Sequence, residues 1–203
     1  TALARARREG GGAPASLWEQ VRTSAAQLVG PYRSRLIVVA LLWNSLGLVG
    51  GPTITYFSLY AQRDHGWTSD EVGFAVILAY VMGTAGSLLC GALLDRVGRR
   101  ITATVFYLGA SAAMLALFRS DGHAEILVAE AATMFAYQAA RTATSALSAE
   151  LFPTEIRATG YSLTVQVLGQ VCWMLSPIAI GIAAWPMGGL GRAASILSVG
   201  PVA

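Results

Sequence analysis

Two long apolar stretches without a charged residue constrain the fold of this chain more than any other feature. Residues 72–94 and residues 101–118 contain no Asp, Glu, Lys or Arg. A transmembrane helix needs about 17–25 such residues, so each stretch is long enough to cross a bilayer. The short connection between them carries Asp95, Arg96, Gly98, Arg99 and Arg100. This pattern predicts a transmembrane helical hairpin with a charged turn.

The composition of the whole chain agrees with a membrane protein. Only 12% of the 203 residues are charged, whereas soluble domains carry about 25%, and the mean hydropathy is +0.56. The net charge is +3, but the arginines flank apolar segments, a pattern that sets membrane topology. We therefore expect the lipid bilayer, and no nucleic acid, as a partner. Both cysteines lie in apolar segments, so no disulfide framework is expected.

The remaining apolar segments extend the hairpin to a bundle. The complete segments are residues 36–60, 72–94, 101–118, 124–149 and 158–185, and a sixth begins near Ala193. The predicted fold class is all-α, a polytopic membrane helix bundle with five complete transmembrane helices and a truncated sixth. Residues 35–203 would form this bundle, and residues 1–34 a cytoplasmic linker with a short amphipathic helix.

Local signals refine two of these segments. Gly50, Gly51 and Pro52 interrupt the first segment and predict a kink. Thr68, with Glu71 three residues later, is a capping box at the start of the second segment. A similar pair, Ser16 and Glu19, precedes the linker helix.

Arginine counting predicts the orientation. Ten arginines lie in residues 1–35 and in the loops at residues 95–100 and 150–157, but only Arg63, Arg119 and Arg192 lie in the opposite loops. The richer side is cytoplasmic by the positive-inside rule. We expect a multi-pass protein of the cell inner membrane, with residues 1–34 and both of these loops in the cytoplasm.

Two loop sequences carry a family resemblance. GALLDRVGRR, at residues 91–100, resembles the loop signature of the major facilitator superfamily, and ELFPTEIRATG, at residues 150–160, is similar to its signature two helices later. The second motif resembles the C-terminal half of such proteins, in the metabolite and sugar:proton symporter branches. The resemblance implies helices seven to twelve of a twelve-helix transporter, partnered by an N-terminal six-helix half.

Charges in the two loops suggest a cytoplasmic gate. We expect Asp95 to face the positive N-terminal end of the fifth segment, and Arg99 and Arg100 to pair with Glu150. Arginines that only fix topology are the alternative. The predicted gate residues are Gly91, Asp95, Arg96, Gly98, Arg99, Arg100, Glu150, Pro153 and Arg157.

Polar residues inside the apolar segments suggest a pathway for substrate and ions. Charges within the membrane are costly and usually functional, so Arg141 is a candidate for binding an anionic substrate and Glu130 for carrying a proton. Alternatively, Arg141 pairs with the N-terminal half, Glu130 lies near the outer surface, and the other side chains form interhelical hydrogen bonds. The predicted pathway residues are Asn44, Tyr56, Glu130, Tyr137, Gln138, Arg141, Gln166, Gln170 and Trp173.

The resulting functional hypothesis is secondary active transport of a small polar metabolite, an organic acid or a sugar, by alternating access and with protons as the coupling ion. A multidrug exporter is the alternative, followed by a nontransporting membrane sensor. An enzyme is not expected, because no His or Cys lies beside the cytoplasmic carboxylates. We read His65 and His123 as solvated residues of outer turns, and expect no catalytic residue, metal or cofactor.

Overall fold

The computed structural model describes residue 28 and residues 30–154, 156–187 and 189–197. Of the predicted linker helix, only Leu28 belongs to this part, so that prediction lies outside the described residues. All regular secondary structure in the described part is helical. This agrees with the predicted all-α class.

The helices follow the apolar segments closely. They are α1 (Arg33–His65), α2 (Ser69–Arg96), α3 (Arg99–Leu117), α4 (His123–Leu151), α5 (Arg157–Ser162), α6 (Val171–Met187) and α7 (Leu190–Leu197). A π-helical turn, Leu163–Val167, and a 3₁₀ turn, Leu168–Gln170, connect α5 to α6. The fifth segment is therefore not the uniform α-helix that its hydropathy suggests.

Four stretches of the described chain are long and apolar enough to cross a membrane: α1, α2, α3 and the continuous stretch Arg157–Pro186. Five complete crossings were expected, and the difference is α4. It has 29 residues, but it carries buried polar side chains such as Glu130, Thr133 and Thr144, which lower its hydropathy. Polar residues can be kept there because α4 packs against α1, α2 and α3.

Glycines set the distance between α2 and α4. A Cβ added at Gly83 would lie 2.8 Å from Cγ of Gln138, and one at Gly86 would overlap the backbone carbonyl of Phe135. Small residues at these positions allow the two backbones to approach closely. On the opposite face of α2, Ile77 and Leu88 are 66% and 74% exposed, which suits contact with lipid.

The helix ends explain the turns. Gly98 has φ 95°, a backbone conformation that L side chains disfavour. It allows a turn with only two residues, Val97 and Gly98, between α2 and α3. The residues of the predicted kink, Gly50, Gly51 and Pro52, do not divide the first segment. They lie within α1, which continues through them as one helix.

The predicted capping box at the start of α2 is confirmed. The Glu71 backbone N–H donates to Oγ1 of Thr68, and the Thr68 backbone N–H donates to Oε2 of Glu71 at 2.8 Å. These bonds from Thr68, more than the nearby His123, hold the pKa of Glu71 below its usual range. The box is therefore intact near neutral pH and is lost as the pH falls through that lowered pKa.

Candidate functional site

One end of the bundle collects the charges of the two loop motifs. Arg99 at the start of α3 forms an ion pair with Glu150 at the end of α4, as the charge pattern predicted. Nη1 of Arg35 on α1 donates to the backbone carbonyl of Leu151 at 2.9 Å. The Arg99 and Glu150 side chains are about half exposed (47% and 43%), and ion pairs in such surroundings contribute only about 0–1 kcal/mol. Such a pair can break without unfolding the bundle.

The other charged residues of this end point outward. Asp95, Arg96, Arg100 and Arg157 are exposed. In the described part of the chain, Arg100 makes no ion pair with Glu150, contrary to expectation. Within the described part of the chain, Asp95 makes no hydrogen bond or ion pair. The expected contact between Asp95 and the start of the fifth segment is therefore not formed in this conformation. Asp95 lies at the end of α2, which packs mainly on α4 rather than on α5.

The turn after α4 is built around a phenylalanine that the sequence reading did not select. Phe152 is extended (φ −107°, ψ 138°), as expected before Pro153, and its side chain is buried. A Cβ at Gly160 would lie 2.9 Å from Cγ of Phe152, so the glycine is needed for close packing. Nε of Arg157 donates to the Phe152 carbonyl at 3.3 Å and closes the turn. Phe152 and Gly160 both belong to the ELFPTEIRATG motif, and this was the sequence signal that could have identified the contact.

Asn44 interrupts the fifth segment. Its Nδ2 donates to the carbonyl of Leu168 at 2.8 Å, and its Oδ1 accepts from the backbone N–H of Cys172 at 2.8 Å. In an uninterrupted α-helix, these two backbone groups would bond to each other. The Asn44 amide is therefore inserted between them, and we call this arrangement the Asn44 wedge.

Several other predicted pathway residues also use their polar groups within the bundle. The Tyr56 hydroxyl donates to the Pro177 carbonyl at 2.8 Å, and Nε2 of Gln170 donates to the Val165 carbonyl at 3.0 Å. The contacts of Asn44 and Tyr56 match the alternative reading of interhelical hydrogen bonds, whereas the bond of Gln170 lies within its own segment.

Tyr137, Gln138 and Trp173 take part in close packing. A Cβ at Gly50 would lie 2.7 Å from the Tyr137 hydroxyl and 2.8 Å from Cζ2 of Trp173. Gln138 lies against Gly83 of α2. The structure thus brings Asn44, Tyr137 and Trp173 together around α1, while Gln138 belongs to the α2–α4 contact.

The two charged pathway candidates lie in different surroundings. Arg141 and Gln166 are exposed, and Arg141 makes no ion pair with the described residues. Glu130 is only 4% exposed and lines a cavity between α1, α2 and α4. Glu130 is therefore enclosed by the bundle, and whether it lies near the outer side of the membrane stays open.

Two polar pairs in the core were missed. Nε1 of Trp43 donates to Oγ of Ser148 at 3.1 Å, and the hydroxyls of Tyr107 and Thr144 are 2.8 Å apart. Each pair connects α4 to another helix. Ser148 and Thr144 lie four residues apart, which puts them on one face of α4, but their partners cannot be read from sequence spacing.

The opposite end of the bundle holds the histidines. His123 stacks on Trp67 with ring centroids 4.0 Å apart, and its Nε2 is 3.9 Å from Oε1 of Glu71. His65 packs edge-on against Tyr60, with ring centroids 4.6 Å apart. His123 is exposed, as the reading of a solvated residue expects, whereas His65 is half-buried, and each ring also has an aromatic partner. In the described part of the chain, no group of three His, Cys, Asp or Glu residues could hold a metal ion.

Comparison with known proteins agrees with this geometry. The family model of the Major Facilitator Superfamily, whose members are membrane transporters, matches residues 38–199. No curated protein and no solved structure gives a significant match. The match covers most of the chain and includes both loop motifs and every described membrane helix. The chain therefore belongs to the Major Facilitator Superfamily.

Proposed function

We propose that this chain is the C-terminal half of a secondary active transporter that moves a small polar metabolite, an organic acid or a sugar, by alternating access. The observation that carries the proposal is the family match over residues 38–199. Proton coupling is supported by Glu130, a carboxyl group that is buried and has no arginine among the residues lining its cavity. A buried carboxylate without a partner is costly, and taking up a proton removes that cost.

Arg141 is the residue we propose for recognition of an anionic substrate. It is exposed on α4, four residues after Tyr137 and close enough to interact with it electrostatically. An unpaired guanidinium can bind a carboxylate through two parallel hydrogen bonds. An organic acid is therefore preferred to a sugar as substrate.

The charged end is the proposed cytoplasmic gate. The ion pair of Arg99 and Glu150 ties α3 to α4, and the exposed Asp95 is left available to the N-terminal half. A contact that forms in one conformation and breaks in the other biases the equilibrium between them. Asp95→Asn should therefore slow uptake while the protein still inserts in the membrane, and normal turnover in this variant would remove Asp95 from the gate.

The decisive experiment measures uptake of radiolabelled organic acids and sugars into proteoliposomes that contain the full-length protein. We expect uptake driven by a pH gradient, and an Arg141→Ala variant with at least about tenfold weaker binding of an organic acid, which corresponds to about 1.4 kcal/mol. The control is Arg63→Ala, which removes an exposed arginine in the last turn of α1 and should behave as wild type. Uptake of neither class under a pH or sodium gradient would contradict the proposal.

A further inference from the structure

A small cavity lies in the interior of the bundle, where α1, α2 and α4 meet. Its volume is about 140 Å³, enough for a few water-sized molecules at about 30 Å³ each. Its polar lining consists of Thr53 and Ser58 on α1, Tyr80 on α2 and Glu130 on α4. Ile54 and Tyr80 are 40% and 46% exposed, so the cavity reaches the surface on their side.

Two oxygen atoms of this cavity have no hydrogen-bond partner. They are Oε2 of Glu130 and Oγ1 of Thr53, and the two residues are only 4% and 1% exposed. Buried polar atoms are nearly always paired, because an unpaired one loses its hydration without compensation. Two such atoms on the same cavity are available to bind a ligand.

The Thr53 hydroxyl differs from those of other buried threonines in the bundle. Thr133, Thr144 and Thr164 each donate to the backbone carbonyl four residues earlier, at 2.6–2.8 Å. This local bond is the usual way for a helical threonine to satisfy its hydroxyl. Thr53 does not make it, so its oxygen is available to a ligand in the cavity.

The charge of the cavity limits what can bind. Among the described residues that line the cavity, Glu130 is the one carboxylate and Tyr80 the other titratable group, and no arginine or histidine of α1, α2 or α4 is among them. A single negative charge is balanced by one monovalent cation, whereas a divalent ion would leave an excess positive charge in a buried site. Carboxylate and hydroxyl oxygens are hard ligands that suit hard cations.

We propose that Glu130 and Thr53 bind Na⁺ in this cavity, in competition with a proton on the Glu130 carboxyl group. When Na⁺ enters, the carboxyl group releases its proton and the carboxylate takes the ion, so the charge of the site does not change. Oγ1 of Thr53 supplies a second ligand, and Ser58 and water complete the coordination. The assignment rests on the transporter function proposed above, since it adds Na⁺ to the proton as an ion that Glu130 can carry.

The test is equilibrium binding of radioactive Na⁺ to the purified full-length protein, with choline chloride holding the ionic strength constant. Binding is expected in wild type and should weaken as the pH falls, because the proton competes for Glu130. Glu130→Gln should abolish it. Thr53→Val should weaken it about tenfold, whereas Thr133→Val, a buried threonine bonded within its own helix, should leave it unchanged.

The outcomes separate the ion site from the transport function. Absence of Na⁺ binding in wild type, or equal binding in wild type and Glu130→Gln, overturns the site. In that case, loss of uptake driven by a pH gradient in Glu130→Gln would support the proposed transport with the proton as the coupling ion. Na⁺ binding that follows the expected variants, without flux of any tested metabolite, supports the site and contradicts the proposed substrate class.

Discussion

Two glycine-lined contacts hold this bundle together, and they are built differently. At the contact between α2 and α4, both helices are regular, and Gly83 and Gly86 admit atoms of Gln138 and Phe135. The obstacle behind Gly86 is the backbone carbonyl of Phe135 itself. A backbone atom can move away only if the helix moves, so this contact fixes the spacing of α2 and α4.

At the contact between α1 and the fifth segment, a Cβ at Gly47 would meet the backbone N of Trp173 at 2.8 Å, whereas the next two glycines meet side chains. Gly50 and Gly51 face Trp173 and Ser176, and the Asn44 wedge replaces a backbone hydrogen bond. Oγ of Ser176 also donates to the Gly47 carbonyl at 3.2 Å. Side chains can change rotamer at low cost, and an interrupted helix can bend where its ladder is open.

Both contacts are closely packed, so close packing by itself does not decide whether a helix contact is rigid. At the α2–α4 contact, the Phe135 carbonyl lies behind Gly86 and both helices are regular. At the contact of α1 with the fifth segment, the backbone contact at Gly47 lies beside an interrupted helix and side chains that can change rotamer. We expect the first to move as one body during transport and the second to act as a hinge. The three predictions that follow test this difference.

The largest effect is expected from Gly86→Ala. The new Cβ would overlap the Phe135 carbonyl, so α2 and α4 must separate. Overpacking of this kind costs about 1–3 kcal/mol, and we expect the upper part of that range. Thermal unfolding in detergent measures the loss, with Gly73→Ala as control, because no atom lies within 4 Å of a Cβ at Gly73. Equal stability of the two variants would show that the contact is not rigid.

The sequence predicted the rigid region well. Uncharged length identified α1, α2 and α3, and the capping box fixed the start of α2. These features depend on residues near each other in the chain, where helical periodicity and capping chemistry apply. The ion pair of Arg99 with Glu150 also followed, because opposite charges occur in two loops on one face.

The hinge could not be predicted in the same way. Asn44 and Cys172 are 128 residues apart. Residues 163–170 are more polar than the rest of the segment, with Gln166, Gly169 and Gln170 among them, but polar composition alone does not specify π and 3₁₀ turns. The interruption of the helix requires a side-chain amide of another helix that lies level with the Leu168 carbonyl and the Cys172 N–H. For the same reason, Asn44 and Tyr56 were expected in a pathway, although their polar groups are used in hydrogen bonds between helices.

An intermediate effect is expected from Asn44→Leu. Without the amide, the Cys172 N–H can bond directly to the Leu168 carbonyl, and the fifth segment should straighten. The loss of the amide's hydrogen bonds, partly offset by the new backbone bond, should cost about 1–2 kcal/mol. The informative readout is the distance between spin labels at Ser162 and Ala179, both exposed. We expect this distance to shift, and uptake to fall more than stability does.

Ser45→Ala is the matched control for that experiment. Ser45 is the neighbouring residue, and its hydroxyl donates to the carbonyl of Leu42 within α1 at 2.7 Å. Its removal should leave the spin-label distance unchanged. An unchanged distance in Asn44→Leu as well would mean that the interruption does not depend on the wedge, and the hinge would lose its support.

The smallest effect is expected from Gly51→Ala, although its new Cβ meets an atom as closely as the one at Gly86 does. The atom is Oγ of Ser176, which can rotate away and gives up only its hydrogen bond to the Gly47 carbonyl, a loss of about 1 kcal/mol. Thermal unfolding should therefore show a small shift. Ser176→Ala combined with Gly51→Ala should cost no more than Ser176→Ala alone, since the obstructing hydroxyl is gone. A cost as large as that of Gly86→Ala, persisting in the double variant, would show that backbone packing also fixes this contact.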